Sequence, residues 1–146
     1  LETENRLRER NASRLDAAFS TLSGVAPIPC LPAQTHRSFY CYALRVDPRH
    51  FGAADVDELA ARLEAELHFP VERIYRPLDD HPLYRPTQAA STGFSPSYRN
   101  AIDPKRFALP ECERAYAECI AFHHRLLLGD ERDIDDVVAA FHKIWA

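Results

Sequence analysis

The chain predicts an α+β fold, a small and mainly antiparallel sheet with helices packed on one face. Two observations carry that expectation. Apolar residues recur at helical spacing in segments at both ends and in the middle of the chain. Short runs of aromatic and β-favouring residues lie between them, so that helices and short strands interleave. A length of 146 residues suits one domain with a real core.

Residues 1–23 read as a helix. Leu7, Leu15, Ala18, Phe19 and Leu22 mark an apolar face, while Arg6, Arg8, Glu9 and Arg10 are expected to face water. Gly24 is a natural stop. The first two turns carry almost no apolar stripe, as suits a connecting helix arriving from a preceding domain. Leu1 is not methionine, so the native start is expected upstream. Residues 24–146 then form the small α+β domain.

Three prolines, Pro27, Pro29 and Pro32, restrict the next stretch to a loop or a short edge strand. Residues 38–46 are the strongest strand, with Phe39, Tyr40, Tyr42, Leu44 and Val46. Residues 55–67 carry Val56, Leu59, Ala60, Leu63 and Leu67 at helical spacing. Residues 71–75 form a short strand. Residues 77–107 read as an ordered excursion with one helical turn near 97–100. Pro110 suits a helix start, and Ala115, Cys119 and Phe122 mark that helix's apolar face. Residues 123–128 read as a short apolar strand. Residues 133–144 close the chain as a helix, acidic at its start and basic at its end, as the helix dipole prefers.

Composition narrows the function. A net charge of −4 has the wrong sign for a nucleic-acid-binding face. No apolar run approaches the roughly 20 residues that cross a bilayer, and no leader opens the chain. The expectation is a cytoplasmic protein with neither nucleic acid nor membrane as partner. Cys30, Cys41, Cys112 and Cys119 form no Cys-x-x-Cys pair and read as reduced thiols, mostly buried. Cys112 and Cys119 are expected on one helical face. Four glycines supply no phosphate loop. His123 and His124 are expected on opposite faces of a strand, which is no metal motif. Lys105 and Lys143, the only lysines, lack the apolar surroundings a Schiff-base lysine needs. No catalytic, cofactor-binding or metal-binding residue is expected within this chain.

One run stands apart: Ile74-Tyr75-Arg76-Pro77-Leu78-Asp79-Asp80-His81-Pro82-Leu83-Tyr84. Its prolines exclude a helix or a central strand. It reads as a rigid loop presenting polar side chains, the place where binding chemistry concentrates. Asp79, Asp80 and His81 suit hydrogen bonds to a polyhydroxylated or amino ligand. Arg76 suits a carboxylate or phosphate. The alternative at this point is a structural loop with solvated charges.

A series of matches along the chain resembles the C-terminal small domain of the DegT/StrS sugar aminotransferases. Arg10-Asn11-Ala12 with Leu15 is similar to the family's R-x-N-A-x-x-L helix. His36-Arg37-Ser38-Phe39-Tyr40-Cys41-Tyr42 resembles the aromatic strand that follows. Tyr75 to Tyr84 is similar to its Y-x-P-L-H-x-x-P-x-Y loop, with Asp79 where histidine is usual. Leu109-Pro110-Glu111-Cys112-Glu113-Arg114-Ala115 and the closing helix complete the series. Leu126-Leu127-Leu128-Gly129 departs from the commoner L-S-L-P ending and, with His81 to Tyr84, resembles the keto-inositol branch.

The resemblance implies the small domain of a fold-type-I aminotransferase. It implies pyridoxal phosphate bound mainly by a large domain outside this chain, in cis or as a separate subunit. A homodimer, a keto-sugar or keto-cyclitol substrate and a glutamine or glutamate donor follow from it, in amino-sugar or aminocyclitol antibiotic biosynthesis. Tyr75, Arg76, Asp79, His81, Tyr84 and His36 are the implied substrate-binding residues. The chain alone is then expected to be inactive. The alternative is a non-enzymatic ligand-binding or interaction module of the same fold.

Overall fold

The computed structural model describes residues 1–88 and 93–145. Residues 89–92, inside the excursion expected at 77–107, and Ala146 lie outside the described residues. The chain divides into two compact units, Leu1–Ile74 with Ala117–Ala146, and Tyr75–Tyr116.

The first unit holds helices α1 (Glu2–Phe19), α2 (Val56–Leu67) and α5 (Glu131–Ile144) and strands β1 (Val25–Pro27), β2 (Cys41–Val46), β3 (Val71–Arg73) and β4 (Cys119–His123). The sheet order is β1-β2-β4-β3 and every pairing is antiparallel. Pro27 lies in an edge strand, where its missing amide hydrogen costs no ladder bond. Along β2, Tyr42, Leu44 and Val46 are buried while Ala43 and Arg45 on the other face are not. Their partners continue the buried face: Tyr42 opposes Phe122 and Leu44 opposes Ile120. The helices cover this one face with Ala12, Leu15 and Phe19, with Leu59 and Leu63, and with Ile134, Val137 and Phe141. Phe141 is central, its ring 4.6 Å from Phe19, 5.9 Å from Phe51 and 6.4 Å from Phe122. Burying each such ring contributes about 1.5–3 kcal/mol. The α+β class and the one-sided helical layer match the sequence reading.

Local chemistry sets the helix ends. Asp55 caps α2, accepting from the Glu58 amide at 2.9 Å. Asp130 opens α5 through a capping box, accepting from the Arg132 and Asp133 amides while Asp133 accepts from the Asp130 amide at 2.8 Å.

Six expectations are corrected. Arg8 is buried, 8% exposed, with Asn11 beside it at 1%, so the buried stripe of α1 runs Arg8, Asn11, Ala12, Leu15, Phe19. Asn11 earns its place by donating to the Leu127 carbonyl at 3.0 Å and the Gly129 carbonyl at 2.9 Å. The fourth helix, α4 (Pro110–Glu118), stops before Cys119, and residues 119–123 are the central strand β4. The spacing of Ala115, Cys119 and Phe122 is helical, but the short apolar run at 119–122 is equally compatible with a strand, and pairing on both sides decides for strand. Cys112 and Cys119 therefore share no helical face. Residues 124–128 form a 3-10 turn, not a strand, and the His123 and His124 rings stack 4.2 Å apart instead of pointing to opposite faces. Of the four free thiols only Cys119 is buried.

The second unit, Tyr75–Tyr116, contains 3-10 turns at Leu78–Asp80, Pro86–Gln88 and Pro104–Arg106, helix α3 (Pro96–Ala101) and most of α4. Ser95 caps α3, accepting from the Tyr98 amide at 3.2 Å. No described residue of this unit belongs to the buried core. Among the described residues no helix is long and apolar enough to cross a membrane.

Candidate functional site

The Tyr75–Tyr84 loop is ordered by its own backbone. A 3-10 turn forms because Pro77 presets φ and its carbonyl accepts from the Asp80 amide at 3.2 Å. The His81 amide bonds to the Leu78 carbonyl at 3.1 Å and the Tyr84 amide to the His81 carbonyl at 2.9 Å. His81 Nδ1 accepts from the Leu83 amide at 3.1 Å, which leaves the Nε2 hydrogen of the neutral ring as its outward donor. Arg85 clamps the end of the loop by donating to the carbonyls of His81 at 2.6 Å and Tyr84 at 2.9 Å.

Asp79 and Tyr84 meet in one cleft of about 790 Å³, shared with Arg85, Asp103, Lys105 and Glu113. The turns at 78–80 and 104–106 pack together to form it. Arg76 and His81 are not part of its lining. Arg76 instead pairs with Asp80, Nε to Oδ2 at 3.3 Å. Asp79 Oδ1 is buried and has no hydrogen-bond partner. Tyr75 is 79% exposed.

His36 belongs to the other unit, on a strap that leads into β2. Its side chain is 86% exposed, with Nδ1 3.8 Å from Glu9 Oε2. The strap is pinned from below. Arg37 ion-pairs with Asp16, stacks its guanidinium 4.8 Å from the Phe39 ring centre, and gives its amide hydrogen to Glu9. A cleft of about 580 Å³ opens between His36 and the start of α1, lined by Asn5, Arg6 and Glu9.

Sequence reasoning missed Lys105, Glu113 and Asp16. Lys105 stands far along the chain from Asp79 in a stretch without periodicity, and Glu113 in the first turn of α4, where an acid is ordinary. Asp16 sits on a helix as an ordinary exposed-type acid, and only the fold brings it to Arg37 and Tyr42.

A model of the DegT/DnrJ/EryC1/StrS aminotransferase family matches residues 1–142. The chain belongs to this family. L-glutamine:2-deoxy-scyllo-inosose aminotransferase of Streptomyces kanamyceticus is 38% identical over 144 residues, covering 99% of this chain and 34% of that protein. L-glutamine:scyllo-inosose aminotransferase of Streptomyces griseus is 35% identical over the same share. The chain thus spans about a third of the length of the curated relatives it matches. Among solved structures, the aminotransferase TlmJ of Streptoalloteichus hindustanus superposes with a TM-score of 0.65 at 25% identity, over 96% of this chain and 31% of that one. 3-Amino-5-hydroxybenzoic acid synthase shares the fold, with a TM-score of 0.69 at 17% identity, over 99% and 35%.

The two lysines do not make a Schiff-base site. Lys105 is exposed at the cleft, and Lys143 is 68% exposed with its Nζ 2.5 Å from Glu66 Oε2. A nucleophilic lysine needs an apolar pocket to lower its pKa.

Proposed function

We infer that this chain is the small domain of a pyridoxal-phosphate-dependent aminotransferase that aminates a keto-cyclitol, an inosose, with glutamine or glutamate as donor. The observation that carries the reading is the 38% identity to a glutamine:inosose aminotransferase over 99% of the chain. The work is divided between domains. A larger domain holds the cofactor and its lysine, and no bond-making step falls to a residue of this chain. The complete protein is a cytoplasmic homodimer working in aminocyclitol antibiotic biosynthesis.

The small domain's part is to bind and enclose. Tyr75, Arg76, Asp79, His81, Tyr84 and His36 face the substrate. Their hydroxyl, carboxylate and imidazole groups suit a ring that carries a hydroxyl on nearly every carbon. Closing such a lid orders the substrate and excludes water. The absence of core residues among those described between 75 and 116, together with Leu78 and Leu83 at 68% and 88% exposure, supports a surface that docks onto further protein.

The test compares the complete protein with the 146-residue chain, each supplied with L-glutamine and 2-deoxy-scyllo-inosose. The complete protein is expected to form the aminocyclitol and the chain alone to form none. Turnover by the chain alone overturns its role as an accessory domain. Ketone binding without turnover by the complete protein would instead favour a ligand-binding module.

A further inference from the structure

The register of β1 on β2 brings Cys30 and Cys41 into line. Val25 opposes Val46, Ala26 opposes Arg45 and Pro27 opposes Leu44. Just before the strand, the Asp47 amide donates to the Gly24 carbonyl at 2.8 Å, while the Val25 amide turns away to the Leu22 carbonyl at 3.3 Å. Gly24 and every second residue after it are therefore the positions that bond to β2. Pro29, like Pro27, falls on an outward position, where a missing amide hydrogen breaks no ladder bond. Beyond Pro27 the chain stays beside β2, since Ile28 and Pro29 line a cleft of about 270 Å³ with Cys41 and Ala43. The same register carried on to Cys30 sets it opposite Cys41, both on the sheet face that bears Ala43 and Arg45.

Alpha carbons at a bonded pair of this kind lie about 5.5 Å apart, within the range that a disulfide spans. Both thiols are free, and they differ in access. Cys30 is exposed, its thiol directed at the Leu31 carbonyl at 3.8 Å. Cys41 is half-buried, and burial pushes its thiol pKa up. We propose that Cys30 and Cys41 are an oxidation site, at which hydrogen peroxide closes a disulfide that extends the pairing of β1 with β2. The exposed Cys30 sulfur attacks one peroxide oxygen, the O–O bond breaks, the other oxygen leaves as water with the thiol proton, and a sulfenic acid remains. The Cys41 sulfur then attacks that of Cys30, the S–S bond forms, the S–O bond breaks, and a second water carries off the Cys41 proton. The pair of thiols loses two electrons and the peroxide gains them. The bond closes residues 30–41 into a ring that contains His36. Transient disulfides of this kind are the ones that reducing compartments allow.

The experiment exposes the complete protein to hydrogen peroxide, blocks the remaining thiols with iodoacetamide and maps the tryptic peptides. Cleavage after Arg14, Arg37 and Arg45 separates residues 15–37 from residues 38–45. The expected product is these peptides joined, lighter than their sum by a pair of hydrogen atoms and parted by dithiothreitol. Cys30→Ser should abolish the joined product and leave basal turnover unchanged, since that side chain is exposed. Peptides that stay apart, alkylated or oxidised singly at Cys30 and Cys41, overturn the proposal. Cys30 joined to Cys112, or to a second molecule on a gel run without reductant, overturns it as well. The consequence for activity rests on the substrate-binding role of His36 proposed above. With that role, the joined protein aminates 2-deoxy-scyllo-inosose several-fold more slowly and recovers with dithiothreitol, while peroxide-treated Cys30→Ser protein keeps its rate. A joined protein with undiminished turnover upholds the disulfide and counts against His36.

Discussion

Tyr42 on β2 donates its phenol hydroxyl to Asp16 Oδ1 on α1 at 2.8 Å, tying the sheet to the first helix. The other carboxylate oxygen takes Arg37, so one side chain fixes both the strand and the strap that presents His36. Burial, then the Asp16 charge, push the phenol far above its usual pKa, so it remains a donor at every physiological pH.

Tyr42→Phe removes only the donor and leaves Asp16 paired with Arg37. It should cost about 1 kcal/mol in urea denaturation. Asp16→Ala strands the phenol, frees Arg37 and should cost about 2–3 kcal/mol. Equal losses would show that Arg37 gains nothing from Asp16.

Asn11→Ala leaves the Leu127 and Gly129 carbonyls without their donor, at 1% exposure of the parent residue. The expected loss is about 2 kcal/mol, with faster amide exchange in the 124–128 turn. Wild-type exchange rates there would refute the tie between α1 and the turn.

Gly129→Ala places a Cβ 2.7 Å from Asp133 Cβ, inside the capping box of α5. The clash must push Asp133 away from the Asp130 amide, at a cost of about 1–2 kcal/mol. In an Asp133→Ala background the same change should cost less, because part of the box is already gone. A cost that is the same in both backgrounds places the strain elsewhere.

His124 titrates below the usual histidine range, through burial first and then the charges of His123 and Arg8. A folded-state pKa below the unfolded one means that the unfolded chain binds the proton more readily. The associated stability is present above the unfolded value of about 6.5 and is lost as pH falls through the folded value. His124→Gln should flatten that part of the stability curve. An NMR titration placing the His124 midpoint at or above 6.5 would sink the account.

Leu78→Ser and Leu83→Ser change side chains that are 68% and 88% exposed. Stability of the 146-residue chain should move by no more than about 0.5 kcal/mol. In the complete protein the same changes should lower the proposed turnover if these residues dock against the larger domain. Undiminished activity there would place the docking surface elsewhere.

The sequence alone determined the class of the fold, the helices α1, α2 and α5, the strand β2 and the polar loop. Each of these carries its own local signal: apolar spacing, capping acids, or prolines that exclude regular structure. It also carried the family, through motifs in order along the chain. Only the tertiary structure decided that 119–123 is a strand, because a short apolar run fits two periods and pairing with β2 and β3 chooses between them. It likewise decided that Arg8 and Asn11 are buried, since carbonyls more than a hundred residues away along the chain supply the partners for Asn11. The cleft joining Asp79 to Lys105 and Glu113 was illegible for the same reason. Charges distant in sequence become neighbours only when the turns that bear them pack together.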